Sequence, residues 1–214
     1  GFGTGLLRWA SALTLALSVY LSGPSPSSAA GTQPNLVLVM LDDLDAASIT
    51  AMPNTLRLIA QAGVTFDRAY ATTTLCNPSR ATFFTGMYPH SINMRNGGHE
   101  RFHQTGLDRE SLGPWLQRAG YFTAFFGKYV NDYPAGASLD FVPPGWNRWA
   151  AAIYDDFYKQ YNYSMNEDGK QVRYNQASTD YFTDVLSRKA VRARPAAGAY
   201  VSTLDAERGV VPGF

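Results

Sequence analysis

The stretch "PNLVLVMLDD", residues 34–43, constrains the fold more than any other part of the chain. Apolar residues run without alternation from Leu36 to Leu41, the pattern of a strand covered on both faces, as in a parallel sheet flanked by helices. "PNTLRLIAQAG" then reads as a helix, with Asn54 as N-cap and Gly63 as stop, and "VTFDRAYA" alternates like a strand. "NPSRATFFTG" carries the signals of a short helix: Asn77 as cap, Pro78 in the first turn, Gly86 past the end. "SLGPWLQRAG" and "YFTAFFG" repeat the helix-then-strand theme, so the chain is expected to be a layered α/β fold. Residues 128–148, rich in Pro, Gly and aromatics, read as a long ordered loop, and "YNYSMNEDGKQVRY" as a hairpin turning at Asp168 and Gly169. "STDYFTDVLSRKAVRA" is an amphipathic helix with Phe182, Val185, Leu186 and Ala190 on one face.

Forty-five per cent hydrophobic residues support a real core, and a net charge of +1 argues against a broad nucleic-acid or membrane surface. Partners must be sought in a site, and no nucleic acid is expected among them. At the N-terminus, Arg8 precedes an apolar stretch from Trp9 to Leu21 and the small-residue segment "SGPSPSSAAG". Residues 1–30 therefore read as an export signal cleaved near Ala29 or Ala30, too short for a stable membrane span. The expected location is secreted, periplasmic or extracellular, or lysosomal in a eukaryote.

Two places concentrate chemistry. Asp42 and Asp43 stand at the carboxyl end of the first strand, where open α/β sheets place their ligands. Adjacent carboxylates repel, and a hard divalent cation relieves that repulsion; a turn or helix cap, with Asp45 in the same role, is the alternative. The second place is Cys76, the single cysteine, which rules out an intrachain disulfide. A small buried hydrophobe is one reading of it. If Pro78 opens a helix, however, Cys76 sits just outside an N-terminus that favours anions, and Arg80, one turn on, can reach back toward it. On the residues alone, a thiolate nucleophile would be the simplest function.

"CNPSRATFFTG" resembles the signature of the type I sulfatases, C-x-P-S-R followed a few residues later by T-G. "PNLVLVMLDD" agrees with that family, and "GYFTAFFGKYVNDY" is similar to its G-Y-x-T-x-x-x-G-K segment. "GKYVNDY", "VPPGWNRW" and "YFTDVLSRKA" are most similar to the N-acetylglucosamine-6-sulfatase and heparan endosulfatase branch. The resemblance runs from about Pro34 to Ala193. It implies an alkaline-phosphatase-like layered sheet with helices on both faces, residues 31–193 forming the N-terminal part of the catalytic domain and residues 194–214 a divergent tail. It also implies that a formylglycine-generating enzyme oxidises Cys76 to formylglycine, whose hydrated aldehyde attacks the sulfur of a sulfated carbohydrate or aryl sulfate. Asp42, Asp43 and the modified Cys76 would hold calcium, Arg80 would stabilise the deprotonated diol, and Lys128 would hold a sulfate or leaving-group oxygen.

Departures from the family pattern qualify that picture. Met87 stands where many members have Arg, and Val130 where many have a His two residues after the lysine, although the named branch shares "GKY", an apolar residue and Asn. His90, His99 and His103 are the histidines present, and none is assigned a catalytic role. Family members carry a further strand, a His, an Asp-Asn metal pair and another Lys after the segment matching "TDVLSRKA", so the chain is expected to be the N-terminal part of a longer sulfatase. Two other functions compete: a phosphonate or phosphate monoester hydrolase of the same superfamily, since tetrahedral anions fit similar cationic pockets, and a non-catalytic sulfoglycan-binding module using Trp146 and Trp149 against sugar faces.

Overall fold

The computed structural model describes residues 33–193 and 200–207; the expected export signal, residues 1–30, lies outside them. Six strands form one sheet: β1 (Leu36–Asp42), β2 (Phe122–Gly127), β3 (Arg148–Ala152), β4 (Ser164–Glu167), β5 (Lys170–Arg173) and β6 (Tyr200–Glu207). Their spatial order is β1-β6-β2-β3-β4-β5. β1, β6, β2 and β3 run parallel, and β4 and β5 add an antiparallel hairpin. The helices are α1 (Cys76–Thr85), α2 (His99–Gln104), α3 (Leu112–Arg118) and α4 (Phe182–Arg192). No helix among the described residues is long and apolar enough to cross a membrane.

Successive residues of a strand point to opposite faces, and the core divides accordingly. Phe125 of β2 with Trp149 and Ala151 of β3 enter one cluster, completed by Phe84 of α1 and Tyr129 and Tyr133 from the long loop. Ala124, Phe126, Ala150 and Ala152 enter the other, against Phe182, Val185 and Leu186 of α4. Both faces are thus covered, the layered α/β arrangement expected. Trp149 and Trp146 are 1% and 8% exposed, so these tryptophans pack the core and do not offer a face to sugar. Tyr133 supplies the polar cement of this layer: its hydroxyl accepts from Trp149 Nε1 at 2.9 Å and from Asn166 Nδ2 at 2.8 Å, and donates to the Phe141 carbonyl. Burial raises its pKa above the usual tyrosine value.

Three sequence expectations meet a different outcome. β1 is not covered on both faces: Val37 and Val39, which share one face, are 59% and 50% exposed, because little among the described residues packs over that face. Residues 64–71 form no strand, and Val64, Phe66 and Tyr70 are exposed; alternation marks a strand only where a partner completes the ladder. The helical segment after β1, Pro53–Thr55 continued by Leu56–Ala60, begins behind Met52 as N-cap. Asn54 lies inside it and accepts from Arg57 at 3.2 Å. Beyond Ala193, the backbone of Tyr200–Glu207 enters the sheet between β1 and β2. The hairpin at Asp168–Gly169 and the amphipathic α4 lie where the residue pattern places them.

Candidate active site

β1 and β2 run parallel with β6 between them, so their carboxyl ends share one edge of the sheet, about 10 Å apart by two strand spacings. β1 ends on Asp42, and β2 is followed at once by Lys128. A lysine is long enough to close that gap, and Lys128 Nζ donates to Asp42 Oδ2 at 2.5 Å. Lys128 is only 2% exposed. Its ammonium lies 4.3 Å from the Phe157 ring centroid and 4.9 Å from that of Tyr158, so a carboxylate and two aromatic faces replace the water it has lost. The 3-10 turn that brings these rings, Tyr154–Tyr158, leaves no local signal in the sequence.

Arg80, 3% exposed, comes from α1. Its Nη1 donates to the carbonyls of Lys128 at 2.6 Å and Tyr129 at 3.3 Å, while Nη2 faces Asp42 Oδ2 at 3.4 Å. The contacts of the guanidinium thus run across to the strand ends, where the sequence had it reaching back along its own helix. Only a planar fork with several N–H groups holds two carbonyls and a carboxylate together.

Cys76 is the first residue of α1, with Leu75 as N-cap, and is half-buried as a free thiol. The sequence placed it one step outside the helix with Asn77 as cap. Asn77 is drawn sideways instead: its Nδ2 donates to the Gly97 carbonyl, and its Oδ1 accepts from Asn131 N at 2.9 Å. Asn131 Nδ2 in turn donates to Cys76 Sγ at 3.1 Å. Neither asparagine was singled out as functional from the sequence; the "GKYVN" segment was the available signal. Gly97 and Gly98 also line a cavity of about 450 Å³ with Glu100, Arg101, Gln104 and Thr105, so open space adjoins these contacts.

Asp43 is exposed and takes a left-handed backbone, φ 56°, turning the chain out of the strand. Asp45 caps the turn Ala46–Ala51, accepting from Ala47 N at 2.9 Å and Ser48 N at 3.0 Å, and hydrogen bonds from Ser48 hold its carboxyl below the usual value. Asp42 and Asp43 are suitable in kind for a hard cation, but calcium takes about six to eight oxygens. Among the described residues no three His, Cys, Asp or Glu side chains gather to hold a metal, so these donors make at most part of a shell. The histidines have other engagements. His99 Nδ1 donates to Ala135 O at 2.8 Å, His103 Nδ1 meets Asp108 Oδ2 at 2.8 Å, and exposed His90 stacks on Tyr88.

A family model described as Sulfatase matches residues 34–202. Human N-acetylglucosamine-6-sulfatase is 38% identical over 171 residues, 74% of this chain and 31% of that protein. The extracellular sulfatase SULF-1 homolog of Drosophila melanogaster is 36% identical over 172 residues, 77% of this chain and 15% of that protein. The chain therefore spans less than a third of the length of either relative. Among solved structures, a complex with the substrate D-glucosamine-2-N,6-O-disulfate superposes with a TM-score of 0.65 at 25% identity, over 85% of this chain and 35% of that one. The phosphonate monoester hydrolase of Agrobacterium radiobacter, TM-score 0.54 and 18% identical over 82% of this chain and 41% of that one, shares the fold alone. With the signature cysteine heading a helix beside the ends of parallel strands, and with a match covering most of its length, the chain belongs to the sulfatase family.

Proposed function

We propose that this chain supplies part of the active site of a sulfuric ester hydrolase acting on sulfated sugars, with Cys76 as the residue that becomes the nucleophile. The convergence of Lys128 and Arg80 on Asp42, beside Cys76 at the head of α1, carries this reading. Formylglycine at position 76 would supply a hydroxyl nucleophile that can later expel sulfate by re-forming its aldehyde. The surroundings suit that group, since a buried amide oxygen, Asn131 Oδ1, has no hydrogen-bond partner among the described residues and could accept from a hydroxyl.

The protein's own residues would act by position and charge. Lys128, fixed by Asp42 and the aromatic faces, would place a cation at the strand ends to meet a sulfate oxygen. Arg80 holds the Lys128 carbonyl and steadies the charge on Asp42. Asp42 and Asp43 would contribute ligands to a calcium ion, and residue 76 is not gathered with them. The names of the relatives and the glucosamine disulfate of the structural neighbour support a sulfated amino sugar as substrate, and the extracellular relative supports export.

Mass spectrometry of the Cys76 peptide from protein made in its native host tests the reading: an aldehyde is expected, and an unmodified thiol throughout would overturn it. Paired aryl sulfate and aryl phosphonate substrates separate the two hydrolases, and faster turnover of the phosphonate would favour the second. The sulfoglycan-binding alternative rested on Trp146 and Trp149, and their burial removes that support.

A further inference from the structure

Asn131 is held in place almost entirely by its backbone. Its N–H donates to Asn77 Oδ1 at 2.9 Å, and its carbonyl accepts from His99 N at 2.7 Å. Close packing reinforces this: a Cβ on Gly98 would lie 2.9 Å from the Asn131 carbonyl oxygen and would collide with the Asp132 carboxylate. The side chain is therefore not needed to anchor the loop, and it is spent on residue 76. Nδ2 meets Cys76 Sγ at 3.1 Å, while Oδ1, in the same planar group, is buried with no hydrogen-bond partner among the described residues.

A thiol is a poor match for such an amide, being a weak acceptor and a weak donor. A carbon bearing two hydroxyls is a good one, because its oxygens are spaced much as the nitrogen and oxygen of the amide are. Resting on the proposed maturation of Cys76, we propose that Asn131 is a positioning residue that holds residue 76 in its hydrated form, Nδ2 donating to one hydroxyl and Oδ1 accepting from the other. Hydration adds one water across the aldehyde C=O: the water oxygen bonds to carbon, each oxygen ends with one proton, and nothing is oxidised or reduced. Asn131 acts on that equilibrium by binding the diol and not the flat aldehyde. Asn77 acts one step further out, through the Asn131 backbone.

The test uses the full chain, matured by a co-expressed formylglycine-generating enzyme and labelled at the cysteine Cβ with carbon-13, whose resonance separates thiol, aldehyde and diol. Asn131→Leu and Asn131→Ala should each lower the diol-to-aldehyde ratio about thirtyfold, the worth of the two hydrogen bonds lost. Either folded variant suffices, since the loop is held by backbone bonds that both retain. Aldehyde and diol in the wild type with the same ratio in the variants would overturn the role of Asn131 alone. A wild-type spectrum showing only the thiol carbon would overturn the maturation of Cys76 and this inference with it.

Discussion

Lys128 is the residue on which the site depends most, because burial leaves it no solvent to fall back on. Replacing it with methionine removes the 2.5 Å partner of Asp42, with the longer Arg80 contact at 3.4 Å among those that remain. Breaking one side of a buried ion pair costs about 3 kcal/mol, so Lys128→Met should lower the urea midpoint by that equivalent, and adding Asp42→Asn should recover part of the loss. A second residue-scale effect belongs to His99, which is fully buried. Burial, the dominant cause, lowers its pKa below the ordinary 6.5, and the stacked His103 lowers it further, against the Ala135 carbonyl and Asp108. The unfolded chain therefore takes up a proton near pH 6.5 that the folded chain refuses, so stability is full above that value and falls as pH drops toward the lowered folded pKa. Urea midpoints should fall between about pH 7.5 and about pH 5.5, at up to about 1.4 kcal/mol per pH unit, and His99→Gln should flatten that slope. Asp42, Asp43, Cys76 and Arg80 stand at turns and element ends that the sequence marks, and Lys128 in a segment that the family resemblance marks; of these the structure joins Lys128 and Arg80 to Asp42. Where the Arg80 guanidinium points was not, since its partners are backbone carbonyls 48 and 49 residues away.

At the scale of elements, local chemistry decided what could be read. Asp168 and Gly169 adopt φ 50° and 85°, the left-handed pair that a two-residue hairpin requires, and the hairpin was readable from those two residues. β3, "RWAAA", offers three alanines and one tryptophan, so its strand character comes from pairing with β2 and β4 rather than from propensity. Residues 64–71 are the converse, with strand composition and no ladder. Two glycines separate backbone strain from steric overlap. Gly86 ends α1 with φ 66°, and a methyl placed there would meet nothing within 4 Å, so Gly86→Ala should cost only the left-handed penalty, about 1–2 kcal/mol. Gly145 has φ 84° and lies against the Gly113–Pro114 backbone of α3, where a methyl would overlap main-chain atoms that cannot move aside. Gly145→Ala should therefore cost at least about 2 kcal/mol more, read as a larger fall in thermal midpoint than that of Gly86→Ala.

For the molecule as a whole, the order of strands in space differs most from their order in sequence, and the site hangs on that difference. β1 and β2 bring Asp42 and Lys128 to one edge, but they do not pair with each other; β6, from the far end of the chain, lies between them in parallel register with both. Nothing local announces this, because pairing across more than 150 residues is set by the closure of the sheet and not by the composition of the strand. The central strand thus transmits order to the site. Among the described strands it is the sole neighbour of β1, and the exposure of Val37 and Val39 leaves β1 little else to hold it. Ending the chain after Ala193 should release β1, while β2, β3 and α4 keep the contacts they make with one another among residues 122–193. Hydrogen exchange should then show protection lost over residues 36–42 and kept over residues 148–152, where β3 stays paired with β2 and β4. The charge arrangement should go with it, so that in the shortened chain Lys128→Met costs far less than in the full one. Equal protection of β1 in both chains would mean that the Lys128–Asp42–Arg80 cluster, and not β6, holds the first strand in place.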